Sequence, residues 1–243
     1  MKGSYNMTDQ CITSLGDLNW IELHRTLDEQ GYAKLPRILS VGACESLIEG
    51  YEDESLYRKT IDMTRYRFGI GEYKYYQTPL PDLLQQLRDG LYPELANAAN
   101  RWLEQLNRSP EYPDTLATFL DQCHQVGQSR PTPLILKYEA GGYNCLHQDL
   151  YGDTFFPFQV VFALNQQGED YTGGEFLLVE QRPRAQSRGH VITLNQGEGL
   201  IFPTQQRPVL GTRGYYRVTL RHGVGTIISG TRYTTGVIFH DAK

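Results

Sequence analysis

From Pro131 onward the chain breaks into runs too short for helices and too regularly patterned for loops. They cover 134–138, 158–164, 175–180, 190–194, 199–202, 216–222 and 234–239, apolar or alternating and split by glycines. Alternation with period two marks half-buried strands. Short strands at this spacing build a sandwich or a barrel, not a parallel sheet with helical crossovers. Ahead of them the texture is helical. Asp17 is placed to cap a helix carrying Leu18, Ile21, Leu23 and Leu27 that ends near Gly31, and Ser40 one carrying Cys44, Leu47 and Ile48. Leu83, Leu84, Leu87, Leu91, Leu95, Ala98, Trp102 and Leu106 recur at three- and four-residue steps, with Gly90 and Pro93 expected to divide them into two helices. A further helix is expected after Pro113, and Arg65–Tyr76 reads as strand and turn.

The simplest organisation is one domain over 1–243. Residues 1–130 form a mainly helical support and 131–243 the strand core, with the seam at 128–133 serving as an entry rather than a linker. With 40% apolar and 21% charged residues the composition is globular. No apolar run reaches the ~18 residues of a membrane span, and Met1–Asn6 lacks a secretory layout. Cys11, Cys44, Cys123 and Cys145 show no paired spacing, which argues for a reducing, cytoplasmic setting and against a disulfide or zinc framework. The net charge is −5, yet 180–221 holds seven arginines and no lysine. Such a local field can attract an anion even on an acidic chain. A solvated face, or pairing with the acidic half, explains the same arginines.

Chemistry enters with His147-Gln148-Asp149. On a strand, residues two apart share a face, so imidazole and carboxylate converge. Two imidazoles and one carboxylate on one face of an ion bind Fe(II) and leave positions open for a chelating co-substrate and dioxygen. Three histidines lie downstream. His190 has Leu200 ten residues on, and His240 has almost no chain after it. His222 ends the alternating set Val218, Leu220, His222 and has Arg232 ten residues beyond. Each histidine alone is more often a packed residue than a ligand; the combination favours His222, with His190 facing solvent or substrate and His240 pairing structurally with Asp241.

The segment His222-Gly223-Val224 through Gly230-Thr231-Arg232-Tyr233-Thr234 resembles the distal-histidine signature of the 2-oxoglutarate- and iron(II)-dependent dioxygenases. The resemblance implies an α+β fold, a double-stranded β-helix (a jelly-roll or cupin-like barrel) buttressed by N-terminal helices. It implies iron on His147, Asp149 and His222, and Arg232 on the distal carboxylate of 2-oxoglutarate, a match of guanidinium fork to carboxylate. Thr234 would assist and Tyr138 would be a further contact. Leu146–Gly152, Glu180–Arg188, Gly211–Arg217, Ile238–Ala242 and Arg65–Tyr76 are similar to one bacterial family within it, labelled an oxygenase acting on methylated, damaged DNA and related in mechanism to the AlkB-type demethylases.

That label would give the arginines at 182, 184, 188, 207, 213, 217 and 221 to phosphates. Tyr66, Phe68, Tyr73, Tyr75 and Tyr76 would cradle an extruded base; aromatic packing between helices and strands accounts for them equally. The expected partners are 2-oxoglutarate and an unidentified substrate, nucleic acid among the candidates, with no membrane and no protein partner implied. One alternative is a hydroxylase of a small molecule or protein side chain, favoured by a narrow pocket closed by the 182–188 loop. The other is a non-catalytic metal-binding barrel, against which Arg232 with Thr234 speaks, since a metal holder needs no carboxylate clamp.

Overall fold

A computed structural model describes residues 15–150 and 152–243. The amino-terminal stretch read for a leader, Cys11 and Tyr151 lie outside the described residues. Helix α1 (Trp20–Gln30) is capped by Asn19, whose side chain accepts the Glu22 N–H at 3.1 Å, not by Asp17. It ends at Gly31 with φ 82°, where a Cβ would stand 2.5 Å from the Arg207 side chain. Strand β1 (Ala33–Arg37) and helix α2 (Val41–Glu49) follow, the latter capped by Ser40 as expected. Next come β2 (Tyr57–Asp62), the one-turn α3 (Met63–Tyr66), β3 (Gly69–Ile70) and β4 (Glu72–Tyr76). Two helices remain, α4 (Asp82–Gln105) and α5 (Leu116–Gln125).

Helix α4 is continuous through Gly90 and Pro93, contrary to the expected break. Eleven of its side chains are buried, and that packing outweighs the local preference of the two residues to end a helix. Gly90 serves a close approach instead, since a Cβ there would stand 2.6 Å from Leu15.

The remaining strands are β5 (Leu134–Glu139), β6 (Tyr143–His147), β7 (Phe158–Ala163), β8 (Tyr171–Gly173), β9 (Phe176–Gln181), β10 (Arg188–Ile192), β11 (Glu198–Pro203), β12 (Gln206–Gly211), β13 (Gly214–Val224) and β14 (Ile227–Ile238). They form two antiparallel sheets. The larger runs β1-β11-β7-β14-β5-β4-β2 with β8 on β14; the smaller runs β10-β9-β13-β6-β3 with β12 on β13.

Neither sheet closes, and this corrects the expected double-stranded β-helix barrel. A tube would need the outer strands of the two sheets to pair with one another. Instead the N-terminal half supplies β1 beside β11, β4 and β2 beside β5, and β3 beside β6. The described part of 1–130 is therefore more than a helical buttress, for its strands extend both sheets.

The sheets face each other across a shared core. Val161, Ala163, Leu200 and Phe202 of the larger meet Phe176, Leu178, Ile192 and Leu220 of the smaller. Strand β7 is buried along its whole length because its other side faces helices. Phe158, Val160 and Phe162 join Leu84, Leu87, Leu91, Leu95 and Trp102, with the Trp102 and Phe158 rings 4.5 Å apart. Each such side chain contributes about 1.5–3 kcal/mol by leaving water. Buried Arg88 clips α4 to the end of β14, donating to the carbonyls of Ile238 (2.9 Å) and Phe239 (2.8 Å) and to Asp241 (2.8 Å). No helix among the described residues is long and apolar enough to cross a membrane.

Candidate active site between the sheets

Strands β6 and β13 set the first two ligands. In their register His222 stands directly opposite His147, with an irregularity just beyond, before Val224 meets Asn144. The rings lie 4.2 Å apart. Two residues past His147 the chain has left the strand and brings Asp149 back to both. Its carboxylate oxygens lie 3.4 Å from His147 Nε2 and 3.1 Å from His222 Nε2.

One donor atom from each of the three residues falls within 4.8 Å of the others. With metal–ligand bonds of about 2.0–2.2 Å, donors sharing one face of an ion sit about 3 Å apart, so the set fits a metal. The surroundings fix the donors. His147 Nδ1–H donates to the Cys145 carbonyl at 2.7 Å, which leaves its Nε2 lone pair for an ion. His222 is packed against Phe176 (ring centroids 5.8 Å) and Phe202 (4.8 Å). The Gln148 carboxamide donates to the carbonyls of Leu220 (2.8 Å) and Gln205 (3.2 Å), tying the turn to the smaller sheet.

The charges agree with this use. Burial alone would raise Asp149, but His222 and His147 hold its carboxyl well below the usual carboxylate range. Burial lowers His222, against an opposing pull from Asp149, and so favours its neutral form. Burial acts the same way on His147, but there the Asp149 and Cys145 interactions win and the pKa is raised.

The triad forms one wall of a cavity of about 370 Å³ whose facing wall is the larger sheet. Arg232 on β14 is the cross-strand neighbour of Tyr138 on β5, and Thr234 follows on the same face. The Arg232 guanidinium is buried, 4% exposed, and among the described residues no acid lies within ion-pairing distance. Its Nη1 reaches Thr234 Oγ1 only at 3.5 Å, and its Nε has no partner. It sits 5.7 Å from the Tyr138 ring and 6.0 Å from the Tyr171 ring. Burial, opposed by Arg232, pushes the Tyr138 hydroxyl up to about 12, so it stays a hydrogen-bond donor.

All six residues singled out by sequence thus line one space. Others were missed: Asn144, which donates to Tyr138 Oη at 3.3 Å, and Gln159, whose buried Nε2 has no partner. The signal for Gln159 was a lone amide in the otherwise apolar run Phe158–Ala163.

The other expectations divide. Tyr66 and Phe68 are exposed and stacked, with centroids 5.5 Å apart, and Phe68 and Arg67 reach the mouth of the cavity. Tyr73 lines it, while Tyr75 and Tyr76 are buried in packing. Arg207 and Arg182 are bound to buried Glu180, at 2.6 and 2.7 Å. His190 packs on Tyr32 and His240 accepts the Phe156 N–H, both away from the triad's ligand set; Asp241 pairs with Arg88 and His124. None of residues 182–188 lines the cavity.

Packed antiparallel sheets around a His/Asp/His set able to hold Fe(II) define a 2-oxoglutarate- and iron(II)-dependent oxygenase. More narrowly, the chain belongs to the family described as an oxygenase catalysing oxidative methylation of damaged DNA, whose model matches residues 71–242. An uncharacterized protein of Mycobacterium tuberculosis, found in two strains, is 52% identical over 164 residues, 68% of this chain and 70% of that one.

Solved structures share the fold at low identity. A Pseudomonas putida prolyl-4-hydroxylase is 14% identical with a TM-score of 0.53, over 92% of this chain and 100% of that one. The α-ketoglutarate-dependent epimerase SnoN of nogalamycin biosynthesis is 15% identical with a TM-score of 0.56, over 91% and 82%.

Proposed function

We propose that His147, Asp149 and His222 hold the iron, that Arg232, Thr234 and Tyr138 hold 2-oxoglutarate, and that the substrate is a methylated base in nucleic acid. One observation carries the co-substrate assignment: a buried guanidinium without an acid, on the wall facing the triad. An uncompensated buried charge is expensive, and a carboxylate entering the cavity relieves it. Arg232 offers the fork, with Thr234 and the protonated Tyr138 as neutral donors beside it.

When bound, iron with 2-oxoglutarate and dioxygen supplies oxidation of a substrate C–H bond, one oxygen atom entering the substrate and the other the succinate left after carbon dioxide is lost. The chain's residues orient and shield. Phe176 and Phe202 hold the His222 ring, and the apolar walls of Leu134, Leu136 and Val224 limit water. Insertion of oxygen into an N-methyl group gives an N-hydroxymethyl group, which falls apart to formaldehyde and the free amine. The reaction expected on a methylated base is therefore removal of the methyl carbon.

A nucleic-acid substrate is supported by the family description and by the exposed Tyr66–Phe68 stack beside Arg67 at the mouth. Aromatic faces of this kind receive an extruded or single-stranded base. A lid of residues 182–188, which would favour a small-molecule hydroxylase, finds no support in the cavity lining. The test is iron-dependent release of labelled carbon dioxide from 2-oxoglutarate, and of formaldehyde from an oligonucleotide bearing an N-methylated base. Turnover undiminished in excess chelator would refute the iron assignment. Formaldehyde release from no methylated base, with carbon dioxide release intact, would refute the substrate.

A further inference from the structure

The face of β13 turned away from the cavity carries a second pattern. Val218, Leu220 and His222 are buried toward the core, so Arg217, Thr219 and Arg221 point outward. Tyr215 continues the outward set, and Arg213 sits in the turn from β12. The outward order is thus Arg213, Tyr215, Arg217, Thr219, Arg221, and all but Thr219 are exposed.

Among the described residues, the side chains of the three arginines make no ion pair or hydrogen bond, in contrast to Arg182 and Arg207 on Glu180. The neighbouring strands bring no acid to them. Pro208 stands opposite Arg217, and Val179 opposite Arg221. On a chain of net charge −5, this strand presents three uncompensated positive charges with an aromatic ring between two of them.

We propose that this strand face binds the backbone of single-stranded nucleic acid, its arginines on phosphates and Tyr215 stacking on a base. The proposal rests on the reading of a nucleic-acid substrate and gives that substrate a path. Arginines four residues apart on a strand lie about 13 Å apart, so the row spans about 26 Å. Its near end, Arg221, adjoins His222. From β13 the same sheet continues through β6 to β3, where Ile70 is exposed beside Phe68. A strand laid along the row therefore reaches the cavity mouth across one continuous sheet. Phosphate contacts position a chain without reading its sequence, and an aromatic platform accepts any base.

The test is anisotropy of a fluorescent oligothymidylate titrated with the whole 243-residue chain over a range of salt, without 2-oxoglutarate. Each phosphate contact on a single strand contributes about 0.7 to the slope of log affinity against log salt. The Arg213→Gln/Arg217→Gln/Arg221→Gln variant should lose about two units of slope and at least about tenfold in affinity. The corresponding triple lysine variant should recover most of both, and Tyr215→Ala should weaken binding with the slope unchanged. Equal affinity and slope in the glutamine variant would overturn the proposal. So would failure of the wild type to bind the oligonucleotide, or a preference for duplex over single strand. Binding lost with the arginines while no methylated base is demethylated would support this surface and refute the catalytic reading. Demethylation without arginine-dependent binding would do the reverse.

Discussion

Replacing Arg232 with methionine should stabilise the bare protein and abolish most of its 2-oxoglutarate affinity, two effects of opposite sign from one residue. Arg232 is 4% exposed, with a long hydrogen bond to Thr234 (3.5 Å), an unpartnered Nε and no acid within reach among the described residues. Its contacts with the Tyr138 and Tyr171 rings return about 0.5–2 kcal/mol, less than the several kcal/mol of burying an ion. Methionine keeps the unbranched stem and removes the charge. Apolar replacement of buried ionic groups is often stabilising by about 1–4 kcal/mol. In a chain of this size each kcal/mol raises Tm by about 2–4 °C.

The loss of a charge-assisted hydrogen bond to 2-oxoglutarate amounts to about 1.5–3 kcal/mol, roughly 10- to 150-fold in Kd. Thermal unfolding, run anaerobically with Fe(II) and increasing 2-oxoglutarate, reads both. Co-substrate at 100 times the wild-type Kd should add about 2.7 kcal/mol to the wild type and about 0.3–1.4 kcal/mol to the variant, so the variant's lead in Tm should shrink. Arg232→Lys keeps a buried charge but loses the fork; it should weaken 2-oxoglutarate comparably without the gain in stability. A methionine variant that melts lower when bare yet keeps its full 2-oxoglutarate response would refute the reasoning and make Arg232 a structural residue. Arg217, on the N-terminal part of β13, lies outside the cavity lining and offers no substitute clamp.

The iron assignment predicts that His222→Ala loses both metal and turnover, whereas His190→Ala keeps its iron; metal analysis after anaerobic loading decides. Arg88→Met should destabilise by about 3–5 kcal/mol in chemical denaturation, because it strips a buried partner from Asp241 and leaves two strand-end carbonyls unpaired. His240 is fully buried, and desolvation holds its pKa down at about 4 against an ordinary 6.5. The unfolded chain binds that proton first, so stability is full above about pH 6.5 and falls by about 3 kcal/mol as pH drops toward 4. His240→Asn should flatten that part of a pH-dependent denaturation series.

The six residues singled out for the site were legible because their chemistry survives without knowledge of topology. His147 and Asp149 are near in sequence, and alternation of Val218, Leu220 and His222 fixes which face the last one takes. What alternation could not report was the partner across the gap. That His147 stands opposite His222 depends on a register set by the irregularity before Val224, which leaves no mark in composition. Asn144 and Gln159 escaped for a related reason: an amide is a poor signal until its neighbours are known.

The expected barrel failed at the edges, where sequence patterns are weakest. Alternation says which side of a strand is buried, not what lies beyond the last strand. Strand β1 contains Pro36, which lacks an N–H to donate and suits an outer position, and its pairing with β11 is irregular there. Strand β2 presents Arg58 and Lys59, charges that guard an edge and disguise a strand as a loop. These two strands flank the larger sheet, so the very features that hid them also end it. The cavity gains from this arrangement. The helices take the outer face of the larger sheet through Phe158, Val160 and Phe162, and the inner face, with Arg232 and Thr234, is left free for the site.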